Sequence, residues 1–263
     1  METTGDKKGL RQGRLLQRLA ADRHLTLDEI SRIFSITTQT ARRDIQELDE
    51  KGHLRRVRGG AMTLDRIGEG ALRDRRVANR AAKERIGACV AAEIPDGSSV
   101  FLDTGTTCEA IAHALLRCRD LRVVTYSLRI AAFLSEHTSF VLAVPGGFVR
   151  SVDGAIFHEA TPGFLSGFRF DVAVLSVTGV DENGDLADDD PAEVRVVRAA
   201  MAQANSTLLA VDNSKFGSLG LVRMGNLSEV SCLVTDAAPP DSVLEILSQA
   251  GGRVIVAGED APD

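Results

Sequence analysis

The chain has 263 residues, 44% of them hydrophobic and 26% charged, with 24 Gly and 7 Pro, the make-up of a folded protein of about two domains; fibrous, collagen-like and low-complexity architectures are excluded. No apolar run reaches the roughly 18–20 residues that span a bilayer, and the charged N-terminus lacks the apolar stretch of a secretion signal, so a cytoplasmic protein is expected. The net charge of −6 conceals an asymmetry: residues 1–62 carry 13 Lys and Arg against 9 Asp and Glu, residues 63–263 carry 18 against 28, and only the first part suits a polyanion.

The first sixty residues predict three short helices and a hairpin. Leu15, Leu16 and Leu19, with Arg11, Arg14 and Arg18 between them, mark an amphipathic helix over Leu10 to Ala21. Thr26 followed by Glu29 is a capping box, and Leu27, Ile30, Ile33 and Phe34 form the apolar stripe of the helix it opens. After a break at Ser35-Ile36, Thr37 is the N-cap of a third helix that carries Ala41, Ile45 and Leu48 and closes at Lys51-Gly52. His53 to Thr63 then alternates apolar and basic residues around Gly59-Gly60, a two-stranded wing. Helix, helix, helix, wing is a winged helix-turn-helix.

The third helix of such a module lies in the DNA major groove, its first residues reaching base edges. Those residues are Thr38, Gln39, Arg42 and Arg43; Gln pairs with adenine and Arg with guanine in two-point fashion, while the hydroxyls of Thr37 and Thr40 suit phosphate oxygens. Lys51, Arg55, Arg56 and Arg58 add a basic edge beside the wing. The DNA-binding domain is expected over residues 8–63, followed by a hinge-like connector over 64–80, rich in Arg, Asp and Gly.

Over residues 81–258, strands and helices alternate. Ser99–Asp103, Leu121–Thr125, Phe140–Val144, Val172–Val177, Thr207–Val211, Ser231–Thr235 and Val254–Ala257 read as buried strands, and Ala81–Glu93, Cys108–Arg117, Leu128–Glu136, Ala192–Ala204 and Ser242–Gln249 as helices. The fold class is α/β, with a mainly parallel, Rossmann-like sheet in the second domain. No GxGxxG follows the first strand, the cysteines have no metal-ligand spacing, and neither a cofactor nor a metal is expected.

In open α/β sheets, ligands bind beyond the carboxyl ends of the strands, where this chain concentrates polar and Gly-rich loops. Asp103-Thr104-Gly105-Thr106-Thr107 can cradle a phosphate at a helix start. Gly146 and Gly147 let backbone approach a ligand, and Arg150 supplies a fork for a charged group. Lys215, close to Asp212, either neutralises a phosphate or pairs with that acid; spacing leaves both readings open. The run Asp188-Asp189-Asp190 before Glu193 reads more strongly as dipole-favoured capping than as a binding site.

Phe34-Ser35-Ile36-Thr37-Thr38-Gln39-Thr40-Ala41-Arg42-Arg43-Asp44-Ile45, Gly52-His53-Leu54 and Arg58-Gly59-Gly60-Ala61 closely resemble the DNA-binding module of DeoR-type bacterial repressors. Thr37 stands for the usual Ser, Ala41 for Ile and Arg58 for His. The later loops resemble the effector domain of the same family, whose fold is similar to ribose-5-phosphate isomerase and glucosamine-6-phosphate deaminase, over about residues 8–258 in all. The resemblance implies a sugar-phosphate effector held by Asp103, Gly105, Thr106, Thr107, Gly147, Arg150, Glu193, Asp212 and Lys215. Two departures stand out: Tyr126 replaces the Asn of T-N-S, giving an aromatic ring to stack on or bond a sugar near the cleft mouth, and Val197 replaces the Lys of V-K-R.

The expected function is a transcriptional regulator that releases operator DNA when a phosphorylated metabolite binds. Pairing of recognition helices makes a homo-oligomer, dimer or tetramer, the expected form. A sugar-phosphate isomerase or deaminase fused to a DNA-binding module is the alternative; it needs a positioned acid/base pair, and His113, His137 and His158 form no recognisable catalytic arrangement. A nucleoid-binding structural protein would have no use for the four clustered loops.

Overall fold

The structure, a computed structural model, describes residues 4–22, 24–50, 53–57, 59–63 and 69–258. The chain divides into two compact units, Met1–Asp74 and Arg75–Asp263.

The first unit contains α1 (Thr4–Asp22), β1 (His24–Thr26), α2 (Leu27–Phe34), α3 (Thr38–Glu50), β2 (Leu54–Val57) and β3 (Gly60–Thr63). The capping box at α2 is present in both directions: Thr26 Oγ1 accepts from the Glu29 amide at 3.2 Å, and the Glu29 carboxylate accepts from the Thr26 amide at 2.7 Å. Ser35 ends α2 with φ +51°, a left-handed cap. Thr37 caps α3 through its hydroxyl, which accepts from the Thr40 amide at 3.2 Å. Leu15, Leu19, Leu25, Ile30, Ala41, Ile45, Leu48, Leu54 and Ala61 form the core, so the stripes read from helical spacing do face inward. The wing is a three-stranded antiparallel sheet in the order β1-β3-β2. Strand β1, three residues long, escapes the sequence reading because so short a segment has no period of its own. Lys51, Gly52, Arg58 and residues 64–68 of the connector lie outside the described residues.

Part of the connector is helical: α4 (Glu69–Val77) replaces the expected hinge. Between Gly70 and the pair Ala78-Asn79 the segment is made of Ala, Leu, Arg, Asp and Val, and its Ala, Leu and Arg favour a helix.

The second unit contains α5 (Arg80–Ala92), β4 (Ser99–Leu102), α6 (Thr106–Ala114), β5 (Arg122–Val124), α7 (Leu128–His137), β6 (Val141–Ala143), β7 (Phe148–Val149), β8 (Ile156–Phe157), α8 (Thr161–Leu165) and β9 (Phe170–Leu175). It continues with β10 (Gly179–Val180), β11 (Asp185–Asp188), α9 (Pro191–Met201), β12 (Ala204–Ala210), β13 (Val222–Asn226), β14 (Cys232–Thr235), α10 (Asp241–Gln249) and β15 (Arg253–Val256). A seven-stranded parallel sheet in the order β15-β14-β12-β9-β4-β5-β6 forms its centre. Alternate residues feed two cores. Phe101, Ala173, Leu175, Leu209 and Leu233 point to one face, and Val100, Leu102, Val172, Val174, Leu208, Ala210, Cys232 and Val234 to the other. Burial on both faces explains why these strands are continuous apolar runs. Helix α9 ends at Met201, and Ala204, read as its last residue, pairs with Phe170 in the sheet.

A three-stranded antiparallel sheet, β10-β11-β13, and the hairpin β7-β8 are additions that alternation did not predict. All four cysteines are free thiols. Among the described residues, no group of three or more His, Cys, Asp or Glu could hold a metal ion, and no helix is long and apolar enough to cross a membrane.

Candidate functional site

Two surfaces carry the expected chemistry. On the first unit, Lys8, Arg11, Thr37, Gln39, Thr40, Arg42, Arg43, Asp44 and Gln46 line a groove of about 660 Å³. Helix α3 buries Ala41, Asp44, Ile45 and Leu48, which turns Thr38, Gln39, Arg42 and Arg43 outward. Arg43 is 80% exposed and lies 3.6 Å from Glu47. Thr37 and Thr40 share a hydroxyl–hydroxyl hydrogen bond at 2.9 Å. On the wing, Arg55 pairs in register with Met62, and Arg56 with Ala61; the Arg56 amide donates to Asp49 at 3.0 Å.

Asp44 explains why an acid can sit on a DNA-reading helix. It is 2% exposed and accepts two hydrogen bonds from Arg11, Nε to Oδ2 at 2.6 Å and Nη2 to Oδ1 at 3.1 Å, with Gln12 adding a third at 3.3 Å. The carboxylate thus fastens α1 to α3 and is matched by a fork from the scaffold. Lys8, Arg11 and Gln46, which the sequence reading did not include among the DNA contacts, share the groove; helical period could have found Gln46, but Lys8 and Arg11 reach it from another helix.

The second surface lies at the carboxyl edge of the parallel sheet. Strands β4, β5 and β6 run outward one way and β9, β12, β14 and β15 the other, so the switch point falls between β4 and β9. Asp103 sits there, 3% exposed, where its Oδ1 accepts from the Thr104 amide at 2.8 Å and the Tyr126 hydroxyl at 2.6 Å, and its Oδ2 from the Ser176 amide at 3.2 Å. Burial pushes its pKa up to about 7 against these hydrogen bonds, and the neighbouring Glu193 charge adds to the rise.

Gly105 has φ +103° and precedes α6, whose N-terminus receives no side-chain cap; Thr106 and Thr107 open that helix. The first turn of α6 thus has no side-chain cap on its backbone amides, an arrangement that suits an anion. Gly147 has a reason of its own: a Cβ would stand 2.7 Å from the Phe157 carbonyl oxygen, so the β7-β8 hairpin itself demands glycine.

That hairpin delivers Arg150 and Asp153. The guanidinium lies over the Phe157 ring at 4.8 Å and donates to Asp153, to Glu193 and to Asp190 Oδ2 at 2.7 Å. Arg150 is therefore the organiser of three carboxylates, and the open fork expected from the sequence is already engaged. Burial raises the pKa values of Glu193 and Asp188, each further raised by a neighbouring carboxylate, while Arg150 opposes the rise at Glu193. Asp190 caps α9, accepting from the Ala192 amide at 2.7 Å, whereas Asp188 at the end of β11 acts by charge on Glu193 and feels that of Asp103. The sequence offered one signal for this division: a helix has a single N-cap position, and three consecutive acids cannot all occupy it.

Tyr126 requires a correction. It is 0% exposed, stacked on Phe101 and edge-on to Phe157, with its hydroxyl donating to Asp103, so it presents no ring surface to a sugar. Val197 is also a core residue, 2% exposed. Asp212 and Lys215 form a second group at the end of β12. Asp212 is 2% exposed and accepts from Asn79 Nδ2 at 2.9 Å and from the Ser214 amide at 3.1 Å. Burial raises its pKa, but the Ser214 hydrogen bond and the Lys215 charge outweigh that and hold it below the ordinary value.

A winged helix-turn-helix with a basic groove, joined to an α/β unit with buried acids gathered at its switch point, defines a DNA-binding regulator with an appended α/β domain. Residues 11–66 match the DeoR-like helix-turn-helix domain and residues 78–237 the DeoR C terminal sensor domain, and the chain belongs to the DeoR family of transcriptional regulators. It is 39% identical over 242 residues to the glycerol-3-phosphate regulon repressor of Escherichia coli K12, covering 92% of this chain and 96% of that one. It is 36% identical over 260 residues to the HTH-type transcriptional repressor CsqR of the same organism, covering 99% and 98%. A solved ribose 5-phosphate isomerase A from Methanocaldococcus jannaschii aligns with a TM-score of 0.40 and 16% identity over 53% of this chain and 55% of its own. These relatives make the chain a regulator and not an enzyme.

Proposed function

We propose that this chain is a cytoplasmic homo-oligomeric repressor of an operon for a small phosphorylated carbohydrate or polyol, released from its operator when that metabolite fills the cleft. Thr38, Gln39, Arg42 and Arg43 read bases, while Thr37, Thr40, Arg55, Arg56 and Arg58 hold phosphates. Asp103, Gly105, Thr106, Thr107, Gly147, Arg150, Glu193, Asp212 and Lys215 build the effector cleft, with Tyr126 setting Asp103 from below.

The observation that carries the effector reading is the adjacency, across Thr104 and Gly105, of the buried Asp103 carboxyl and the uncapped start of α6. The helix start suits a phosphate, and carboxyl groups suit hydroxyls, so the pair fits a molecule with a phosphate at one end and alcohols at the other. The name of the Escherichia coli relative makes glycerol 3-phosphate the first compound to try.

The test is fluorescence anisotropy of the full chain on DNA flanking its own gene, at fixed salt, with and without glycerol 3-phosphate and then a series of sugar phosphates. Tight binding relieved by one of them is the expected result. Binding that no phosphorylated compound relieves overturns the effector reading.

A further inference from the structure

Residues 75–83 are tied to both parts of the cleft. Arg76, near the end of α4, donates Nε to Glu109 Oε2 at 2.7 Å and Nη2 to Glu109 Oε1 at 2.6 Å. Glu109 stands in the first turn of α6, the helix that Thr106 and Thr107 begin. Asn79 donates Nδ2 to Asp212 Oδ1 at 2.9 Å, and Asp212 opens the loop that carries Lys215. Lys83, 5% exposed on α5, reaches back to the carbonyls of Arg75 at 2.5 Å and Ala78 at 2.8 Å.

Each contact restricts motion in its own way. The two-point Arg76–Glu109 pair fixes angle as well as distance, and at 36% and 21% side-chain exposure it is sheltered from full solvent screening. Asn79 adopts φ +54°, a conformation Asn tolerates better than most residues, and this aims its amide at Asp212. The Lys83 ammonium donates to carbonyls at and just beyond the C-terminus of α4, so the end of that helix is held to α5.

We infer that Arg76 and Asn79 are positioning residues that convey occupancy of the cleft to α4, through Glu109 on α6 and Asp212 on the β12 loop. This rests on the reading of the cleft as the effector site. The two anchors land on the two groups of candidate ligand residues, one at Thr106-Thr107 and one at Asp212-Lys215. A rearrangement of either group is delivered to residues 76–79 and from there along the chain that leads to the DNA-binding unit. A ligand bridging both groups sets both anchors together, which is the two-state behaviour that allosteric release needs.

The test uses the full chain with Arg76→Ala, Arg76→Lys and Asn79→Ala, four measurements being made on each. Operator affinity without additive is expected to stay at its wild-type value, and calorimetry gives the glycerol 3-phosphate affinity of each variant so that responses are compared at equal occupancy. The fall in operator affinity that glycerol 3-phosphate causes is expected to shrink by about tenfold in the Ala variants, with Arg76→Lys intermediate because it keeps the charge but loses the fork. In hydrogen exchange, amides of residues 104–109 are expected to exchange faster in Arg76→Ala, and those of 213–216 faster in Asn79→Ala. A wild-type response to glycerol 3-phosphate in the Ala variants overturns the inference. If glycerol 3-phosphate binds none of the proteins, this choice of effector fails by itself, and exchange decides the link: faster loop amides support it, and unchanged ones overturn it.

Discussion

The Tyr126 hydroxyl donates to Asp103 Oδ1 at 2.6 Å, and neither side chain is more than 3% exposed. A hydrogen bond to a buried carboxyl contributes about 1.5–3 kcal/mol. Tyr126→Phe is accordingly expected to destabilise the sensor unit by about 1–3 kcal/mol and to weaken effector binding, since Asp103 loses the group that orients it. Chemical denaturation and calorimetry check the two effects; wild-type values in both would deny Tyr126 its role.

Asp103 also sets a pH dependence. Its pKa is 3.8 in an ordinary setting and about 7 in the fold, so the folded chain binds the proton more tightly than the unfolded one. Between those values the folded state holds more protons, and this group's contribution to stability falls as pH rises, levelling off above 7. Asp103→Asn removes that penalty. The variant should gain stability relative to wild type from pH 4 to pH 7, by about 2–4 kcal/mol, as followed by denaturation at several pH values. A difference that does not change with pH would mean Asp103 titrates normally.

In the first unit, Asp44→Ala takes the carboxylate from Arg11 and leaves Glu47, bonded to Lys8 and Gln12, as a remaining polar tie between α1 and α3. Removing one partner of a fully buried pair costs about 3–5 kcal/mol, and the partial exposure of Arg11 reduces this to about 2–3 kcal/mol. Thermal unfolding of the full chain should show an earlier transition for this unit, with operator binding lost in proportion.

Arg42→Ala and Arg56→Ala separate base reading from phosphate holding. The first is expected to cost about 1–3 kcal/mol on the operator and to relax preference at one or two positions. The second should weaken all DNA alike and reduce the salt slope by about 0.9. Binding titrations on a panel of operator variants at several salt concentrations give both numbers; a slope unchanged in Arg56→Ala would take the wing off the phosphate backbone.

How much of this was legible in the sequence follows from where each signal is written. The strands of the parallel sheet announced themselves because both faces are buried, and the capping box at Thr26 and Glu29 is a local pattern complete within four residues. Asp103 was legible as a residue at the end of a strand beside a Gly-Thr-Thr turn. Asp188 was not, because β11 is acidic and owes its strand to pairing with β13, as Asp188 does with Val222. The fork of Arg150 looked available because its partners Asp190 and Glu193 come from a helix start far along the chain. Tyr126 looked like a cleft-mouth residue because a hydroxyl signals chemistry, while the Phe101 and Phe157 rings that bury it come from other strands.

The order of strands in the sheet bears on how a newly made chain matures. Strand β9, which pairs with β4 and supplies the Ser176 amide to Asp103, follows β4 only after three helices and four other strands. The wing and its helices, by contrast, complete their core by Ala61, before the first strand of the parallel sheet begins at Ser99. Local contacts form early and distant strand pairings late, and synthesis proceeds from the N-terminus. The DNA-binding unit thus has all of its core residues before the sheet of the sensor unit can close, and an emerging chain folds its groove ahead of the Asp103 site.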